Sequence, residues 1–162
     1  MEMMPLKFGI SRRYMRVTKM RGSSFREGNH DYVIKAGGLI VFPRLVAGEH
    51  EGVHSTELFK SGNEQLDQLV GGGLHAGTGS LFMGPAGSGK STIASMFAAM
   101  ATAKGCGVRY FAFDESSFIL VNRAREIGLD FDTAINSGLL RIQQVDPAEI
   151  APGELANQIM VW

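Results

Sequence analysis

The chain has 162 residues, with 16 lysines and arginines against 16 aspartates and glutamates, and 44% of its residues are hydrophobic. That content suits a folded chain of one domain or slightly more and excludes an intrinsically disordered one. A net charge of zero supplies no overall field for a polyanion, so nucleic acid or a membrane surface could be met only by a local patch.

The single cysteine, Cys106, excludes an internal disulfide and a cysteine-based metal site, and it reads as a small core residue in a reducing compartment. No run nears the roughly 20 apolar residues that cross a bilayer. Residues 1–13 include Glu2 and lack the apolar block of a signal peptide. The expectation is a cytoplasmic protein without membrane contact.

In chain order, residues 12–20 mix basic and apolar side chains and predict a strand. Residues 30–35 and 39–42 predict two more, turned at Ala36-Gly37-Gly38, so residues 1–42 read as a small antiparallel β ribbon. Residues 43–55 hold Pro, Gly, Glu and His without periodicity, which marks a linker and a domain boundary. Beyond it, Leu66, Leu69 and Val70 at helical spacing predict a helix over 62–70 that Gly71-Gly72-Gly73 stops. The following segments alternate: a strand at 80–83, a helix over 90–104 ended by Gly105, a strand at 108–113, a helix over 116–127 closed by Gly128, a strand at 139–145, and a helix from Pro152 onward. Such alternation implies an α/β fold for residues 56–162, a parallel sheet with flanking helices. Leu155, Ile159 and Trp162 share one helical face with no following strand to bury them, so the expectation is an α/β unit that is incomplete.

Glycine is the outlier, 21 residues, about twice the usual share of roughly 7%. Within the richest stretch, Gly84-Pro85-Ala86-Gly87-Ser88-Gly89-Lys90-Ser91 fits the P-loop pattern G-x-x-x-x-G-K-[ST] between a predicted strand and a predicted helix. Small side chains there let the backbone N–H groups from Gly87 onward turn around a β-phosphate at the positive end of the helix. Lys90 is expected to bridge the β- and γ-phosphates, Ser91 to ligate Mg²⁺, and Gly84, Gly87, Ser88, Gly89 and Thr92 to complete the ATP cradle. Asp114-Glu115 follows the next strand, at the carboxyl edge where ligands of open α/β sheets bind. One of the two can orient or deprotonate an attacking water while the other pairs with a basic group or the metal. The alternative is that they merely begin the next helix and favour its N-terminal dipole.

Ser61-Gly62, Leu66-Asp67, Gly71-Gly72-Gly73, Gly77 and the P-loop together resemble the RecA-like P-loop NTPases, and among them the KaiC family. Phe113-Asp114-Glu115-Ser116 and Gly128-Leu129-Asp130-Phe131 are similar to that family too. Arg12-Arg13 and Lys19-Met20-Arg21-Gly22-Ser23 resemble the end of a KaiC ATPase domain. The resemblance thus implies the tail of one ATPase domain over 1–42, a linker over 43–55, and the first part of a second RecA-like domain over 56–162. It further implies that Arg13, Lys19, Arg21 and Ser23 serve the nucleotide of the preceding domain in trans, within a hexameric ring. Ile127 stands where the family has an aromatic against adenine, and Ser24-Phe25 replaces the family's motif after the serine. The Walker B aspartate and the phosphorylated Ser/Thr pair of the family would lie past Trp162.

The implied activity is ATP hydrolysis with Mg²⁺, with Ser/Thr autophosphorylation in the full-length protein and a signalling partner downstream. Two other readings are a nucleotide-gated assembly module with little turnover and a RecA-like DNA recombinase. Neutral charge and the lack of a basic aromatic groove argue against the recombinase. His50 and His54 have ligand-like spacing but no third donor and read as surface residues. His30 and His75 carry no assignable role, and Met96 and Met100 read as helix core.

Overall fold

A computed structural model describes residues 2–4, 12–46 and 55–161, which form two compact units, residues 1–50 with 145–162 and residues 51–144. The fold is α/β, with a small antiparallel sheet and a separate parallel strand pair flanked by helices.

In the first unit, strands β1 (Glu2–Met4), β2 (Arg12–Met15), β3 (His30–Lys35) and β4 (Gly38–Phe42) form one antiparallel sheet in that order. The β3–β4 register pairs Lys35 with Gly38 and Asp31 with Phe42, so Ala36 and Gly37 make a two-residue hairpin loop as expected. The strand expected over 12–20 is shorter, because its ladder stops at Met15, paired with His30. His30, which sequence left without a role, is buried and ties the mouth of this hairpin. Its Nδ1 accepts from the Arg44 backbone N–H at 3.0 Å. The ring is therefore protonated at Nε2, which donates to the Arg26 carbonyl at 2.9 Å.

Helix α5 (Pro152–Met160) belongs to this unit and packs on β3 and β4, not on the parallel strands with which the 56–162 boundary grouped it. Its N-cap, Ala151, has no side chain to satisfy the first turn. Asp31 of β3 does so instead, its Oδ2 accepting from Gly153 N–H at 2.7 Å, and Lys35 Nζ meets Glu154 Oε1 at 3.1 Å. These polar contacts and the sheet face account for the change of partner. Leu155 is half-buried, Ile159 is exposed, and Trp162 lies outside the described residues.

The second unit opens with β5 (Leu58–Phe59), α1 (Glu64–Leu69) and β6 (Leu74–His75), the two short strands pairing antiparallel. Asn63 caps α1 by accepting from Leu66 N–H. Inside this turn, buried Asp67 accepts from the Ser61 backbone N–H at 2.7 Å, which holds its carboxyl below the usual carboxylate range. Next come α2 (Lys90–Ala103), β7 (Val108–Ala112), α3 (Ser117–Glu126), α4 (Phe131–Asn136) and β8 (Leu140–Gln144). β7 and β8 are parallel, Val108 opposite Leu140 and Ala112 opposite Gln144. Helices α1, α2 and α3 end alike: Gly72 N–H reaches Asp67 O, Cys106 N–H reaches Ala101 O, and Leu129 N–H reaches Ala124 O. With Gly71, Gly105 and Gly128 one residue past each cap, these are Schellman closures, which is why the glycines read from sequence stop the helices where they do.

The core of this unit joins Ala98 of α2, Leu120 and Ala124 of α3, Phe131 and Ala134 of α4, and Leu140 of β8. Each large side chain buried there contributes about 1.5–3 kcal/mol. The strand expected at 80–83 does not form a ladder among the described residues; Leu81 and Met83 are over 80% exposed. Its alternation nevertheless persists, since Phe82 turns the other way and stacks on Phe97 of α2, ring centroids 6.2 Å apart. Extended backbone without a neighbour to bond its N–H and C=O groups is not a strand. No helix among the described residues is long and apolar enough to cross a membrane.

Candidate functional site

The P-loop residues sit in the turn ahead of α2. Ser88 N–H bonds the Pro85 carbonyl at 3.3 Å, and Gly89, the N-cap of α2, has φ of +84° and accepts from Ile93 N–H at 2.9 Å. That left-handed conformation favours glycine, and with no side chain to cap the helix, the N–H groups of its first turn are left without a side-chain acceptor. Gly84 is close-packed for a different reason: a Cβ there would stand 2.7 Å from Ser88 Oγ, which would have to turn away.

Gly87, Gly89, Lys90, Ser91 and Thr92 line a cavity of about 260 Å³, to which one further residue, Arg123 of α3, contributes. Five of the residues expected at the phosphate site therefore share one hollow, while Gly84 and Ser88 shape the turn behind it. Lys90 Nζ donates to the carbonyls of Gly84 at 3.0 Å and Pro85 at 2.8 Å. Two of its three N–H donors thus fix the ammonium to the loop, and one remains.

The acid pair divides its roles. Ser116 caps α3 by accepting from Ile119 N–H at 3.3 Å, which places Asp114 and Glu115 just ahead of the helix. Asp114 is exposed, whereas Glu115 is gripped by both ends of the Arg123 guanidinium, Nη2 to Oε1 and Nη1 to Oε2, each at 2.7 Å. That charge-assisted fork raises the Arg123 pKa, the hydrogen bond that Arg123 donates to Glu115 being the main cause. Burial also pushes the Tyr110 phenol up; the Ser95 hydroxyl opposes this and the Glu115 charge adds to it.

Sequence reading missed Arg123. The only signal was a cation eight positions after Glu115, and a helix spacing of two turns alone does not say which way a side chain reaches. Arg13, Lys19, Arg21 and Ser23 fall in the other unit. Arg13 is half-buried on β2, Lys19 and Arg21 are exposed, and the Ser23 hydroxyl donates to Met20 Sδ at 3.0 Å. His50 and His54 lie outside the described residues, and among the described residues no group of three metal-ligating side chains occurs.

Comparison with known proteins agrees with this geometry. The family ATPase: KaiC matches residues 59–157. Circadian clock protein KaiC2 of Synechocystis sp. is 32% identical over 139 residues, 85% of this chain and 24% of its own length. Circadian clock oscillator protein KaiC of Acaryochloris marina is 33% identical and that of Synechococcus elongatus 32%, each over 81% of this chain and 25% of its own length. The chain spans about a quarter of the length of these relatives. With a P-loop turn at the head of α2, an acid pair beyond a parallel strand and a family match covering both, the chain belongs to the KaiC ATPase family.

Proposed function

We propose that residues 84–92 bind the phosphate chain of Mg-ATP. The observation that carries this reading is the cavity formed by Gly87, Gly89, Lys90, Ser91 and Thr92, walled by main-chain donors, hydroxyls and two cations. The donor set suits a polyphosphate, since N–H groups at a helix start and cations beside them favour anionic oxygens. Mg²⁺ keeps several waters and takes phosphate oxygens, so one protein hydroxyl, that of Ser91 on the cavity wall, is a sufficient ligand from this loop.

Within the full-length protein, the reaction is transfer of the γ-phosphoryl group to water, and in the autokinase reading to a Ser/Thr of the protein itself. Asp114 or Glu115 orients the attacking oxygen or takes its proton. Arg13, Lys19, Arg21 and Ser23 act on a nucleotide held by a neighbouring subunit of a ring, where three cations would stabilise charge developing on the phosphoryl group. In the family's domain order, residues 1–42 are then the tail of a preceding domain, residues 43–55 a linker, and residues 56–162 the first part of the next, although in this chain α5 packs on β3 and β4. The protein works in the cytoplasm, as a homo-oligomer that passes its state to a signalling partner and does not contact nucleic acid.

Calorimetric titration of the 162-residue chain with Mg-ATP tests the binding half. Saturable binding is expected, and Lys90→Ala is expected to weaken it at least tenfold. Equal affinity in the two proteins would overturn the reading.

A further inference from the structure

Among the residues lining the phosphate cavity, Arg123 alone comes from outside the loop and the first turn of α2. Its guanidinium carries five N–H donors, of which the pair to Glu115 engages one on each terminal nitrogen. Planar fork geometry matches a phosphate edge as well as it matches a carboxylate. Side-chain exposure of 34% for Arg123 against 19% for Glu115 leaves the cation open to the cavity while the carboxylate is the more enclosed partner.

We propose that Arg123 is a second cationic ligand of the nucleotide's phosphate chain, shared between that chain and Glu115. This rests on the nucleotide reading of the cavity and goes beyond it, because the loop alone does not require a cation from α3. Two anions then compete for one fork. When phosphate draws the guanidinium, the Glu115 carboxylate loses its partner and is released toward the site where the acid pair would act. With the guanidinium on Glu115, the carboxylate is occupied. The ion pair thus couples possession of a phosphate chain to the availability of an acid.

The competition predicts effects of opposite sign, which a pair serving only to brace the fold would not produce. In titrations of the full 162-residue chain with Mg-ATP, Arg123→Gln is expected to weaken binding about tenfold, and Arg123→Lys, which keeps charge but not the fork, by less. Glu115→Gln is expected to tighten binding severalfold, and to do so by less than twofold once Arg123→Gln is already present. Far-UV circular dichroism checks that each variant is folded, and Glu115→Gln keeps the proposal testable if Arg123→Gln is not. Affinity unchanged by Arg123→Gln, or weakened by Glu115→Gln, while Lys90→Ala abolishes binding, would overturn the role of Arg123 alone. Binding unaffected by Lys90→Ala would overturn the nucleotide reading beneath it.

Discussion

In the antiparallel unit, charged side chains join distant parts of the fold: Asp31 receives the first turn of α5 and faces Arg12 at 3.9 Å, and Lys35 meets Glu154 across 119 positions of sequence. In the α/β unit, Lys90 and Arg123 stand instead at the wall of a cavity, Arg123 paired behind it with Glu115, and Lys90 keeps an N–H to spare. The first arrangement ties one element of the fold to another, and the second lines a hollow that a ligand can enter. Substitutions should accordingly separate into those that lower stability and those that lower binding.

The largest loss of stability is expected where neither kind of charge is involved. Phe131 is fully enclosed in the α/β core, and Phe131→Ala should cost about 3–5 kcal/mol in urea unfolding. A loss under about 1 kcal/mol would mean that α4 does not close this core. In the other unit, His30→Phe leaves the Arg44 N–H and the Arg26 carbonyl without their partner and should cost about 1–3 kcal/mol. Lys90→Ala in the same assay should stay within about 0.5 kcal/mol, so an equal effect of the two changes would erase the contrast between structural and ligand-facing groups.

A smaller effect is confined to acid. The Ser61 N–H lowers the Asp67 pKa in the folded chain relative to the unfolded one. The stability it gives is fully present above the ordinary carboxylate pKa of about 3.9 and is lost as pH falls below that, through the lowered folded value. The melting temperature of the native chain should drop more steeply below about pH 4 than that of Asp67→Asn; parallel curves would remove Asp67 as a cause. A small effect is also expected at Lys35 and Glu154, where a double-mutant cycle should give about 0.2–1 kcal/mol of coupling, since the lysine is more than half exposed.

Sequence made the α/β unit legible where local chemistry decides the outcome. Glycines one residue past the caps of α1, α2 and α3 foretold closures that depend on backbone conformation alone, and the P-loop spacing foretold a turn whose left-handed Gly89 heads the helix. Strand pairing was less legible, because a run such as 80–83 carries the alternation of a strand without naming the neighbour that would bond it. The location of α5 was hidden for a similar reason: its apolar stripe says that it must be covered, while the choice of cover rests on Asp31 and Lys35, more than a hundred positions away. Arg123 escaped notice because its reach toward Glu115 and the cavity is a property of packed helices, and His30 because its two backbone partners meet only once the hairpin has closed.

The central claim is that the turn ahead of α2 holds a phosphate chain on its backbone amides. Amide ¹H–¹⁵N spectra of the full chain, recorded while Mg-ATP is added, report on each of those groups separately. The largest shifts should fall on Gly87, Ser88, Gly89, Lys90, Ser91 and Thr92, and should vanish in Lys90→Ala. Shifts centred on the antiparallel sheet, or a pattern at the loop that Lys90→Ala leaves intact, would contradict it.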